Sequence, residues 1–281
     1  MTNSQHPHQL QGRTEDEVVW YQRRSLLQAA AAWTAAGGFT VAHAQQGRNV
    51  VEMRGDVRRN GQALAAGEGI AAGDRIETGP GSTVVFTVGK DAFMVRQNTR
   101  IALEGDTPMT VKVLRLLTGA VASVWGRGSE RQVVMPTATA GIRGTGVYAE
   151  VFPEQDFRSY FCNCYGTVDI AAGGESVASQ ASYHQAFWAE VAPRNGRMLT
   201  PAGAINHTDE ELEFLARLVD QRTAWQIAGH KGSKDGTGQI TYPAAPAGSN
   251  SASPAPAVPV PAPARPPMSR ARPSSPYGSD Y

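Results

Sequence analysis

From Asn49 to about Val191, turn signals interrupt the chain about every 8 to 12 residues, and many of the segments between them alternate apolar and polar side chains. That rhythm constrains the fold more than any other feature, because segments so short bury an apolar face most readily by pairing as strands. Asn60-Gly61 is a two-residue hairpin signal, since both residues accept the positive φ of a tight turn. Thr78-Gly79-Pro80-Gly81-Ser82 and Gly89-Lys90-Asp91 are further turns, and Asp74 and Asp91 read as turn formers. Between and after them, Thr83–Val88, Ala92–Arg96 and Ile101–Glu104 read as strands. Val111–Leu116 alternates at period two, which directs Lys112 and Arg115 toward water, and Leu117–Trp125 is interrupted by Gly119. Thirty glycines and eighteen prolines favour turns over long helices. The expectation is a mainly β domain, a roll, sandwich or barrel, whose apolar strand faces supply about 1.5–3 kcal/mol per large buried side chain.

The segment Val133–Val151 organises this body. It reads as a strand broken by Gly141, Gly144 and Gly146, a density of glycine that signals bulges or close approach of another backbone. Arg143 sits among these glycines, followed by Gly144 and the hydroxyl of Thr145. It is either a corner arginine that satisfies nearby carbonyls or a fork presented to an anion or partner.

Thr137–Val147 resembles the Thr-Pro…Arg-Gly-Thr-hydrophobic signature of the FecR domain, with Ala138 where that family often has proline. Gly55-Asp56-Val57, Gly73–Gly79 and Ser82–Phe86 are similar to its opening repeats, and Gly166-Thr167-Val168-Asp169-Ile170 to its closing turn. The resemblance spans about residues 50–172. It implies a FecR-like periplasmic β-roll or sandwich that binds or signals without catalysis, with Arg143, Gly144 and Thr145 as the motif residues facing a ligand or envelope protein. Transmembrane members of that family carry a helical cytoplasmic domain that controls a sigma factor. Here 22 mostly polar residues precede Arg23, so anti-sigma activity is not expected.

The N-terminal part reads as an export signal. Gln22–Gln28 places Arg23 and Arg24 ahead of an alanine-rich apolar run to Val41, and Ala42-His43-Ala44 fits the small-x-small cleavage pattern before Gln45. The adjacent arginines resemble the twin-arginine signal, with Leu26 where phenylalanine is common. Gln28, Thr34, Gly37 and Gly38 make the run too polar for a stable membrane span. The mature chain is therefore expected to be periplasmic or secreted. Residues 1–44 form the tail and signal, 45–200 the β domain, 201–230 a C-terminal helix, and 231–281 a disordered Gly/Pro/Ala-rich tail.

The chain's two cysteines, Cys162 and Cys164, lie in the strand-like run Phe157–Val168. Residues i and i+2 of a strand share a face, so both thiols point the same way with Tyr160 beside them. Their Cα atoms stand about 6.5–7 Å apart, the edge of disulfide geometry, whereas two thiolates on one face suit a shared metal ion. His184, in the next strand-like segment, and His207, just before a helix, complete a set suited to zinc, copper or iron. The alternatives are a redox-active thiol pair or two packed thiols, with the histidines as surface or capping residues.

Thr208-Asp209-Glu210-Glu211 is a capping box, and Leu212, Leu215, Leu218, Val219 and Trp225 follow at helical spacing up to Gly229. The acids Asp209, Glu210, Glu211 and Glu213 read as a solvated face. A formal net charge of +1 argues against nucleic acid as a partner. Phosphate-binding loops, nucleophile elbows and His-Glu-x-x-His are missing from the sequence, so no enzyme is expected. The leading expectation is a non-catalytic binding or signalling module for an envelope protein or small ligand. The alternative is a metal or thiol-redox protein built on Cys162, Cys164, His184 and His207.

Overall fold

The computed structural model describes residues 49–128 and 130–239. The export reading, with Arg23, Arg24, Ala42 and Ala44, and the tail reading beyond residue 239 fall outside the described residues. Within them the chain is mainly β, as the turn rhythm predicts. In order come β1 (Val50–Arg54), β2 (Val57–Arg59), β3 (Gln62–Ala63), β4 (Arg75–Thr78), β5 (Thr83–Val88), β6 (Asp91–Val95), β7 (Arg100–Glu104) and β8 (Val113–Val124). They are followed by β9 (Arg131–Val134), β10 (Thr139–Phe152), β11 (Arg158–Ala172), β12 (Glu175–Ala181), β13 (Tyr183–Arg194) and β14 (Arg197–Ala202). Helices α1 (Asp209–Leu218) and α2 (Ala224–Ala228) then precede β15 (Thr237–Gly238). All fifteen strands belong to one large open sheet.

The sheet branches at β8. Its first half pairs with β7 and, in parallel, with β9; its second half pairs with β6 and β10. Gly119 does not end this strand, which runs through it where Thr99 packs against the bare Cα. Lys112 and Arg115 are exposed as expected, but not by alternation: three positions apart they cannot share a strand face, and Lys112 lies just ahead of β8. The Asn60-Gly61 turn joins β2 to β3, with Arg59 opposite Gln62 and φ values of 53° and 81° at the two turn residues.

Each face of the sheet has its own core. One carries Phe86, Phe93, Trp125, Ile142, Phe161 and Phe187. The other carries Val85, Met94, Tyr148, Tyr160, Cys162 and Cys164, and is covered by Leu212 and Leu215 of α1 and Trp225 of α2. The glycine-rich motif is where the two patterns exchange. Ala140 and Ile142 face the first core, and after a register shift at Arg143–Gly146 the residues that do so are Val147, Ala149 and Val151. That shift is a bulge, and it flips the in-out parity of the remainder of β10.

Two corrections concern the acids and the helix. Asp91 flanks the Gly89-Lys90 turn, but its role goes beyond forming that turn. It is fully buried, bonded to Arg131 Nε at 3.1 Å and to the Gly126 amide at 2.8 Å, because the turn after β5 tucks under the connection leaving β8. The single expected helix is two. Asp220 adopts a φ of 54°, and Thr223 opens α2 with a second capping box of its own. The first box, Thr208 with Glu211, forms as expected, and Gly229 caps α2 in the left-handed region. Among the described residues no helix is long and apolar enough to cross a membrane.

Candidate metal centre

β11 sets Cys162 and Cys164 on the helix-covered face, as alternation requires, with Tyr160 next to them. β13 pairs with β11 from Ser159 opposite Ala189 to Asn163 opposite Gln185, which brings the start of β13 beside the thiols. There His184 holds a φ of 37° and the register shifts between Tyr183 and Gln185. A non-glycine residue in this region is strained, and such strain gathers where side chains are aimed for a purpose. The bulge turns His184 under the helices together with Tyr183. His207 arrives from the loop that leads into Thr208, the cap of α1.

The four donor groups converge. Cys162 and Cys164 Sγ are 3.9 Å apart, Cys162 Sγ and His184 Nδ1 3.6 Å, Cys164 Sγ and His207 Nε2 3.4 Å, and the two imidazole nitrogens 3.0 Å. All four atoms lie within 4.8 Å of one another. A tetrahedral zinc ion with ordinary bond lengths has edges of about 3.8 Å between sulfurs, about 3.6 Å between sulfur and nitrogen and about 3.3 Å between nitrogens. The four distances above follow that order and nearly those values, and the remaining two sulfur–nitrogen pairs lie within 4.8 Å. The cysteines and His184 are fully buried and His207 is 3 % exposed, so no side of the polyhedron opens to solvent.

The outer atoms of both rings fix the tautomers. His184 Nε2 lies 3.0 Å from Asp209 Oδ1, which leaves Nδ1 free to face the thiols. His207 Nδ1 donates to the Ile205 carbonyl at 2.6 Å, which leaves Nε2 free. This pairing of a ring N–H with a carboxylate or carbonyl is how metal-binding histidines are held. Asp209 also accepts from Tyr183 Oη at 2.9 Å and pairs with Lys231 and Lys234 at 2.9 Å each. His207 stacks on Tyr148 with ring centroids 4.6 Å apart, and Arg96 covers Tyr148 while its Nη2 donates to both carboxylate oxygens of Glu211 at 2.8 Å. Asp209 and Glu211 are therefore buried, correcting the solvated-face reading for these two, because cations wait for them beneath α1, whereas Glu210 is exposed as that reading expects.

The charges of the unmetallated protein invite a cation. Burial pushes the Cys162 thiol up, but Cys164, His207 and His184 outweigh it and hold Cys162 well below the ordinary thiol value. Burial and the neighbouring Cys162 push Cys164 well above that value. A cation held between the two sulfurs would favour the thiolate form of both. Burial opposes protonation of His184, yet Asp209 and Cys162 raise it; burial keeps His207 below the usual imidazole value. Despite burial, His184, Lys231 and Lys234 hold the Asp209 carboxyl far below the carboxylate range.

No family model, curated protein or solved structure matches the chain. The site is accordingly read from its own geometry. Cys162, Cys164, His184 and His207, which the sequence separates by up to 45 positions, come together. Arg143, Gly144 and Thr145 lie elsewhere. Arg143 is exposed and paired with Asp169 on β11 at 2.8 Å, Gly144 lines a surface cleft, and Thr145 is fully buried. Sequence reasoning passed over Asp209, Tyr183, Lys231 and Lys234. The one signal that could have found Asp209 is its position two residues after His207.

Proposed function

We propose that this chain is a metal-binding β module in which Cys162, Cys164, His184 and His207 hold one structural zinc ion. The observation that carries the reading is the donor polyhedron: four buried side chains from two strands and a loop, with four of their six donor spacings near the edges of a zinc tetrahedron and all six within 4.8 Å. Two thiolates and two imidazoles in tetrahedral array favour zinc over harder or square-planar ions. Because protein atoms fill all four positions, the ion has no vacancy for substrate, and its role is to lock the segment from Ile205 to Gly238 onto the sheet. The module acts by binding, not catalysis. The FecR-like order of motifs and the paired Arg23 and Arg24 favour a place outside the cytoplasm. A route that exports folded proteins agrees with a buried centre, since the ion can be loaded beforehand.

The test is elemental analysis and thiol titration of the full chain, purified from its export compartment without a histidine tag. One zinc per chain, with thiols that react only after chelation, is the expected result. Cys162→Ser should lose the metal and lower the melting temperature. Absence of metal with two free thiols would refute the centre, and absence of metal with an oxidised pair would replace it by thiol-redox chemistry.

A further inference from the structure

The Arg-Gly-Thr-Gly motif is not consumed by the metal centre, and its glycines have specific neighbours. A Cβ on Gly144 would lie 2.6 Å from Cγ of Arg127, and one on Gly146 would lie 2.3 Å from Cε1 of Tyr165. Gly144 also holds a φ of 63°. The motif therefore leaves room for two side chains, and both line the same cleft of about 500 Å³ beside α2, Arg127 exposed and Tyr165 buried in its floor. Arg222 lines the opposite, helical side of that cleft, and no carboxylate lines it among the described residues. An adjoining cleft shares Arg127 and Arg222 and adds Lys90, against one acid, Asp220.

The floor supplies the second observation. Tyr165 is 6 % exposed, its ring is held edge-on to Trp225 at 5.5 Å, and its hydroxyl has no hydrogen-bond partner. A buried hydroxyl left unmatched is costly, and one that borders a cleft edged by arginines asks for an acceptor. Arg127 is exposed and has no ion pair among the described residues, while Arg222 gives only Nη2 to the Gln226 carbonyl. Two guanidinium groups and a hydroxyl donor, without a competing carboxylate in the cleft they share, match the acceptor-only character of an oxyanion.

We propose that this cleft binds an oxyanionic group, a carboxylate or phosphate of a small ligand, between Arg127 and Arg222 with the Tyr165 hydroxyl donating from below. The glycine motif is then the device that seats Arg127 and Tyr165, and Arg143 stands outside the site. The inference does not depend on the metal.

Inorganic phosphate and sodium glucuronate, titrated separately into the full chain at low ionic strength by calorimetry, test it. At least one should bind saturably. Arg127→Ala and Arg222→Ala should each weaken binding by about tenfold or more, and Tyr165→Phe, which keeps the ring, by severalfold. Both arginines are exposed, so their variants should melt with wild type, and they decide the matter if Tyr165→Phe alters the fold. Tighter phosphate points to a phosphoryl ligand, and tighter glucuronate to a carboxylate. No saturable binding of either probe, or binding unchanged in Arg127→Ala, would overturn the site.

Discussion

Asp209→Asn probes whether the outer layer of the metal centre sets its affinity. The carboxylate is 3 % exposed and both oxygens are engaged: Oδ1 with His184 and Lys234, Oδ2 with Tyr183 and Lys231. Asparagine preserves the shape and still offers an oxygen to the His184 N–H. It removes the negative charge that makes that imidazole a stronger donor and that neutralises two lysines. Loss of such an outer-shell partner weakens metal binding about 10–100-fold, or about 1.4–2.7 kcal/mol. Complete burial and the two stranded lysines place Asp209→Asn toward the upper end, about 30-fold or more. Competition for zinc against a chromophoric chelator at pH 7 measures it. Glu210→Gln is the control, because Glu210 occupies the same helical turn and holds Lys231 at 3.3 Å without reaching His184; it should stay within about twofold of wild type. If the two variants weaken zinc equally, the effect is one of helix charge, and the outer-shell reasoning fails.

Two further outcomes follow from packing and charge away from the centre. Arg158 forks onto Glu190 at 2.7 Å and lies over Trp188 at 4.0 Å, so Arg158→Ala should cost about 3 kcal/mol at pH 7 by leaving a buried carboxylate unpaired. Burial pushes the Glu190 carboxyl up, but Arg158 and Thr200 outweigh it and hold it below its usual value. Its contribution is therefore present above about pH 4.5 and lost as the pH falls through the lower folded-state value. The gap between wild type and Arg158→Ala in urea should accordingly narrow in acid; a gap that widens there would contradict the pairing. Gly146→Ala drives a methyl into the Tyr165 ring and should destabilise by about 1–3 kcal/mol, whereas an unchanged urea midpoint would show that the ring gives way freely.

Local pattern made much of the fold legible, because short-range rules governed it. Asn60-Gly61 turns for reasons internal to two residues, and the capping box at Thr208 needs only a helix to begin. The face shared by Cys162 and Cys164 follows from strand alternation alone. What pattern could not supply is register. Whether His184 meets the thiols depends on the bulge at the start of β13, and whether Asp209 faces water or His184 depends on how α1 lies over the sheet. Asp91 shows the same limit: a turn residue by composition, it is buried because Arg131, on a distant strand, provides a countercharge. The helix divided at Val219–Thr223 because Thr223 and Gln226 form a second cap, a signal present in the sequence but masked by the continuing apolar spacing.

The face beneath the helices has a consequence for how the protein fares in a cell. It bears Val85, Met94, Tyr148 and Tyr160, and the segment that shelters them is fastened by His207 and Asp209. Without the proposed zinc ion, that segment keeps the packing of Leu212, Leu215 and Trp225 and the Arg96–Glu211 pair, and each opening bares a broad apolar surface. Such a chain would be lost to precipitation and proteolysis before any failure of ligand binding became visible. Its abundance should therefore track zinc supply during synthesis, so that scarcity of the metal would register first as a missing protein.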